Sequence, residues 1–97
     1  MRYMANSRMA DGASLERLVR YFDENAFSPT AWDLVRRRTV DEYVMKEGEI
    51  PGVVVFLEAG SADEAAAVLD DLPVVKLGLL TFDLDPLGKT MRLQAGG

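Results

Sequence analysis

Gly52 to Pro73, GVVVFLEAGSADEAAAVLDDLP, decides how the rest of this chain must be arranged. Val53-Val54-Val55-Phe56-Leu57 is a β-branched and aromatic run with no polar alternation, the pattern of a strand buried on both faces. Ser61-Ala62-Asp63-Glu64 then fits the S-x-x-E capping box. In it the Ser61 hydroxyl accepts from the amide of Glu64, and the Glu64 carboxylate accepts from the amide of Ser61. Asp63 and Glu64 also suit the positive end of a helix dipole. Ala65, Ala66, Val68, Leu69 and Leu72 recur at helical spacing, and Pro73 is expected to stop the helix. The stretch therefore reads as a buried strand, a tight turn and a short amphipathic helix.

Outward from it, Val40–Lys46 and Gly52–Glu58 flank the Gly- and Pro-containing loop Glu47–Pro51, which predicts a β-hairpin. On the other side, Val74–Leu84 reads as a strand ended by Asp85-Pro86, with Leu80, Phe82 and Leu84 on one face and Leu79, Thr81 and Asp83 on the other. Arg2–Met9 reads as the first strand, with Tyr3, Ala5, Ser7 and Met9 on one side and Met4, Asn6 and Arg8 on the other. Asp11-Gly12 marks a turn, and Leu15, Leu18, Val19 and Phe22 follow at helical spacing. Ser28-Pro29 restarts the helical layer, and Thr30–Arg37 buries Ala31, Trp32 and Val35.

The order strand, helix, strand, strand, helix, strand predicts an α+β, ferredoxin-like βαββαβ domain built on a four-stranded antiparallel sheet. It occupies residues 1–90, with 91–97 as a tail ending in Gly-Gly. The first and third strands are expected to be central and parallel, with both helical segments on one face. The other face is then bare. Since the third strand is apolar on both sides and the fourth keeps Leu77 and Leu79 opposite Leu80 and Phe82, the simplest cover is the same face of a second copy. The expected assembly is a homodimer with sheets face to face, built up in some arrangements into a larger ring.

At 97 residues the chain holds one domain, and its 48% apolar and 28% charged residues are ordinary for a globular protein. A net charge of −5 argues against nucleic acid or an anionic membrane as the partner, and Arg36-Arg37-Arg38 reads as a solvated helix end. The chain has no Cys and no His, which excludes disulfides, thiolate chemistry, imidazole bases and the usual zinc sites. Asp23-Glu24 and Asp70-Asp71 read as solvated pairs, not metal ligands, and the glycines form no phosphate cradle, so no metal and no cofactor is expected. The chain shows no leader-like h-region and no apolar run long enough to span a bilayer, and the expected location is the cytoplasm.

The segment from Glu42 to Leu87 resembles the muconolactone-isomerase-like branch of the dimeric α/β-barrel proteins. The likeness lies in the hairpin, the Ser61/Glu64/Ala65 helix start, Leu72-Pro73 after the helix, and Pro86-Leu87 at the final strand. Ala31-Trp32-Asp33-Leu34 before the hairpin is similar too, so the likeness covers roughly residues 30–87. The resemblance implies two sheets facing each other across a two-fold axis, in a family that includes isomerases and monooxygenases. A branch of the family that relies on a His/Asp pairing does not fit a chain without His.

Asn6 and Arg8 are polar residues on what should be a central strand and need a partner or a pocket. If the first and third strands are parallel, Arg8 shares a sheet end with Glu58, and Tyr43 on the hairpin lies nearby. The bland reading is an Arg8–Glu58 ion pair ordering a strand end, with Tyr43 and Trp32 as packing. The functional reading is an apolar pocket for a small carboxylate or lactone. In it Arg8, Asn6 and Trp32 bind the ligand, Glu58 moves the proton of an isomerase-type reaction, and Tyr43 steadies the enolate. The competing function is a non-catalytic oligomeric module of a pathway assembly.

Overall fold

The computed structural model describes residues 1–24 and 40–89. Trp32, the Ser28-Pro29 helix start, the basic run and the tail lie outside the described residues. Strand β1 (Arg2–Met9) leads through the Asp11-Gly12 turn into helix α1 (Leu15–Glu24). Ser14 starts α1: its Oγ accepts from the amide of Arg17 at 3.3 Å and its carbonyl from that of Leu18 at 3.0 Å. Strands β2 (Val40–Met45) and β3 (Val53–Glu58) form the hairpin, closed at its base by the Lys46 amide donating to the Gly52 carbonyl at 2.9 Å. Helix α2 (Ala62–Asp70), the short helix α3 (Pro73–Lys76) and strand β4 (Leu80–Leu87) complete the domain.

The helix start expected at Ser61 is present, with one shift. Ser61 Oγ accepts from the Glu64 amide at 3.2 Å, while Glu64 Oε2 accepts from the amide of Gly60 at 2.8 Å, one residue earlier than a regular capping box would have it. Gly60 permits this, because a Cβ there would stand 2.7 Å from that carboxylate oxygen.

Three expectations about the C-terminal half need correcting. Pro73 does not stop α2, which ends at Asp70; it opens α3, where its missing N–H costs nothing in the first turn. Val74–Leu79 is therefore not strand. Gly78, at φ +72°, ends α3 in a Schellman motif: its amide donates to Val75 at 2.9 Å, and the Leu79 amide donates to Val74 at 3.1 Å. Leu79 and Val74, joined by that bond, are both buried in the core. Asp85-Pro86 does not end β4 either. The strand runs on to Leu87, because β4 is an end strand whose outer side needs no donor from proline.

The sheet has four strands in the order β2-β3-β1-β4, all antiparallel to their neighbours. The expected parallel pairing of β1 and β3 is wrong. A strand that returns through a helix runs parallel to the first, so β2 is parallel to β1. The hairpin then reverses direction, and β3, inserted between them, is antiparallel to both. Its register sets Arg2 opposite Glu58 and Asn6 opposite Val54.

One face carries Tyr3, Ala5, Val53, Val55, Leu57 and Leu80, which join Leu18 of α1 and Leu69 of α2 in a single core. By strand alternation the other face carries Arg2, Met4, Asn6 and Arg8 from β1, with Val54, Phe56 and Glu58 from β3. Its apolar centre is Met4, Val54 and Phe56, flanked by Val44, and the Arg2 guanidinium lies 5.1 Å from the Phe56 ring centroid. No helix among the described residues is long and apolar enough to cross a membrane.

Candidate functional site

The register of β1 with β3 ends at Asn6 and Val54, next to the first residue of β3, Val53. The end of a ladder leaves amides and carbonyls that it no longer satisfies. Side chains take over here. Ser7, 4% exposed, is the buried polar residue among those described, and its Oγ accepts from the amide of Val53 at 2.8 Å. The Lys46 ammonium reaches back across the hairpin and donates to the Ser7 carbonyl at 2.7 Å. Gly52 makes room for both, since a Cβ there would stand 2.8 Å from Ser7 Oγ and 3.1 Å from Lys46 Cδ.

This junction has spare chemistry. A hydroxyl that accepts one amide keeps its own proton to donate, and an ammonium has three N–H groups, of which the Ser7 carbonyl takes one. Both suit an oxygen acceptor such as a carbonyl or carboxylate. Sequence reasoning passed over both residues. The signal for Ser7 was its place in the covered stripe Tyr3-Ala5-Ser7-Met9, where a lone hydroxyl must find a buried partner. Lys46 had no such signal beyond the glycine across the hairpin from it.

The residues read from sequence as a pocket are not brought together. Arg8 lies on the open face, 56% exposed, with its Nε 3.1 Å from Asp83 Oδ2 on β4. Asn6, also exposed on that face, is opposite Val54 on one side and Asp83 on the other. Glu58 is at the far end of the sheet, opposite Arg2, with its Oε2 3.4 Å from the Met1 amino group. Arg2 and Arg8 are six residue steps apart along extended chain, roughly 20 Å at about 3.3 Å per residue. The expected Arg8–Glu58 pair is therefore not formed, and the antiparallel direction of β3 is the reason. Tyr43 is opposite Val55, so it points to the helix-covered side, away from Arg8. Trp32 lies outside the described residues.

A groove of about 60 Å³ between α2, α3 and β4 is lined by Leu69, Val75, Phe82 and Leu84, well below the roughly 300 Å³ at which small-molecule pockets begin. The acidic pair Asp70-Asp71 stands at its α2 end, with Asp71 3.9 Å from Lys76. Among the described residues no group of acidic side chains could hold a metal ion.

No family model matches this chain, and no curated protein matches its sequence. Among solved structures it is similar to 5-chloro-2-hydroxyhydroquinone dehydrochlorinase from Burkholderia phenoliruptrix, determined in complex with 2,5-dihydroxybenzoquinone. The TM-score is 0.65 at 16% identity, over 93% of this chain and 96% of that one. At that identity the likeness is one of fold, and it agrees with the element order above: this chain is a ferredoxin-like α+β domain with a four-stranded antiparallel sheet.

Proposed function

We propose that this chain is a small-molecule-binding subunit of the dimeric α/β-barrel type, enzyme-like in architecture, which holds an acceptor-rich ligand at the Ser7–Lys46 junction. The junction supports the reading: a hydroxyl and an ammonium with unused donors stand together where the ladder between the central strands ends. The ligand class is a small acid or lactone. The ligand of the dehydrochlorinase structure, an oxygenated ring, is similar in size and in its display of acceptor oxygens. The proton-transfer role read for Glu58 is carried no further, because the guanidinium meant to anchor its ligand is at the other end of the strand.

The same reading makes the chain a homodimer, with the open faces of two sheets packed together. Met4, Val54 and Phe56 would form the centre of the contact, and Asn6 and Arg8 its polar rim. A protein that buried this centre on its own would need a further layer, and none of the described elements lies on that face.

The test is calorimetric titration of carboxylate-bearing lactones and dihydroxylated quinones into wild type, Lys46→Met and Ser7→Ala. Wild type should bind at least one class, and Lys46→Met should weaken that binding tenfold or more. Equal binding by Lys46→Met, or no binding by wild type, would overturn the site. A second reading, a non-catalytic module of a larger assembly, is favoured by the exposed apolar side chains of Tyr43, Val44, Met45 and Ile50.

A further inference from the structure

The two end strands of the sheet are built differently. β4 carries Asp83, Asp85 and Pro86, residues that discourage another strand from pairing with it. β2 has no such guard between Glu42 and Met45. Tyr43 is 36% exposed, Val44 50% and Met45 51%, and Ile50 on the adjoining loop is 53% exposed. Among the described residues nothing pairs with the outer side of β2.

The free backbone groups of that edge can be placed. The Lys46 amide donates to Gly52, so Lys46 and Gly52 form a bonded pair. In an antiparallel ladder bonded and non-bonded pairs alternate. Val44 and Glu42, opposite Val54 and Phe56, therefore turn their backbone groups inward to β3. Tyr43 and Met45 turn their N–H and C=O groups outward. A register irregularity between Val40 and Glu42 confines the open edge to this short run.

Two outward residues spaced i and i+2 are self-complementary. A two-fold axis through Val44, normal to the sheet, sets Tyr43 opposite Met45 of the second copy as a bonded pair. Repeated by symmetry, this satisfies every outward donor and acceptor of the run. The paired positions have the same parity, so both sheets keep the same face up. The side chains agree with the register: Tyr43 meets a Met45 thioether, a favourable sulfur–aromatic contact, and Val44 meets its own copy. Glu42 falls opposite Lys46 of the second copy and not opposite another acid. The Lys46 ammonium stays on the Ser7 carbonyl, so no new ion pair is required. Asp41, the next acid along, falls opposite Glu47 of the second copy, but its carboxylate is already held by Arg2 at 3.2 Å.

We propose that β2 pairs antiparallel with β2 of a second copy about a two-fold axis at Val44, joining two sheets edge to edge. This contact uses a different surface from the face-to-face packing proposed above, and the two together would build assemblies larger than a dimer.

The chain has no cysteine, so a single engineered thiol reports the register cleanly. Val44 on the axis is a non-bonded pair with its own copy, with Cα atoms about 4.5 Å apart, within the span a disulfide bridges. Under mild oxidation Val44→Cys should form a disulfide-linked dimer at least tenfold faster than Glu42→Cys, whose two thiols the register keeps apart. The comparison is made in a Phe56→Arg background, which removes the face-to-face contact. Adding Met45→Pro, which deletes only an outward N–H, or Met45→Lys should abolish the fast cross-link while the circular dichroism spectrum is retained. Equal rates for Val44→Cys and Glu42→Cys would overturn the proposal. So would a Val44→Cys rate unchanged by Met45→Lys.

Discussion

Gly52→Ala tests the Ser7–Lys46 junction most directly. The new methyl would stand 2.8 Å from Ser7 Oγ and 3.1 Å from Lys46 Cδ. The lysine methylene belongs to a flexible side chain and can retreat. The serine oxygen cannot easily do so, because it is buried and bonded to the Val53 amide at 2.8 Å. Overpacking at such a point costs about 1–3 kcal/mol. Ser7→Ala alone removes the oxygen and leaves the buried Val53 amide unpaired, again at about 1–3 kcal/mol. The two changes meet at one atom, the Ser7 oxygen. With the oxygen gone, the methyl at position 52 occupies the space it left, so the double variant should be more stable than the sum predicts by roughly 1 kcal/mol or more. Urea unfolding of the four proteins, at one protein concentration so that self-association does not enter the comparison, measures the cycle. Additivity within about 0.5 kcal/mol would refute the claim that Gly52 is present to admit the Ser7 hydroxyl.

Glu64→Ala should cost about 1 kcal/mol in the same assay, because it frees the Gly60 amide that the carboxylate now caps, and Ser61→Ala a similar amount. Phe56→Arg should convert the proposed face-to-face dimer to smaller species in sedimentation velocity with little change in circular dichroism; an unchanged sedimentation coefficient would remove that interface. Burial raises the Tyr21 phenol above its ordinary value near 10, so it should ionise later than free tyrosine in an ultraviolet titration. The folded state then holds a proton that the unfolded state has lost, and stability should fall as pH rises from about 10 towards the folded value.

What was legible in the sequence was local. Ser61 to Glu64 announced a helix start, and alternation separated Tyr3, Ala5, Ser7 and Met9 from Met4, Asn6 and Arg8 on β1 without saying which side is covered, because caps and pleats depend on a few neighbouring residues. The error at Val74–Leu79 had a local cause as well: Val74, Val75, Leu77 and Leu79 look like strand. Yet Pro73 and Gly78 bracket them as the first position of a helix and its left-handed exit. Backbone punctuation outweighed β-branched side chains. The candidate pocket failed for a different reason. Whether Arg8 meets Glu58 depends on strand direction, which no short window contains but which the predicted order of crossover and then hairpin already implies.

The direction of β3 also explains why charge was a poor guide to the site. Antiparallel pairing gathers the amino-terminal end of β1 and the carboxyl-terminal end of β3 at one edge, where Arg2 pairs with Asp41 and the Met1 amino group with Glu58. These groups are between 37% and 58% exposed, and ion pairs in that setting contribute about 0–1 kcal/mol each. Arg8 at the other end of β1 is likewise spent on an exposed partner, Asp83. These charges are solvated, while among the described residues the buried polar side chain is the uncharged hydroxyl of Ser7, whose carbonyl is met by Lys46. A buried polar group is retained only with its bonds made, and this pair sits where β3 enters the sheet and the ladder with β1 begins. A ligand that binds at this end of the ladder would meet donors already held in place, and would not have to order flexible arginine and glutamate side chains first.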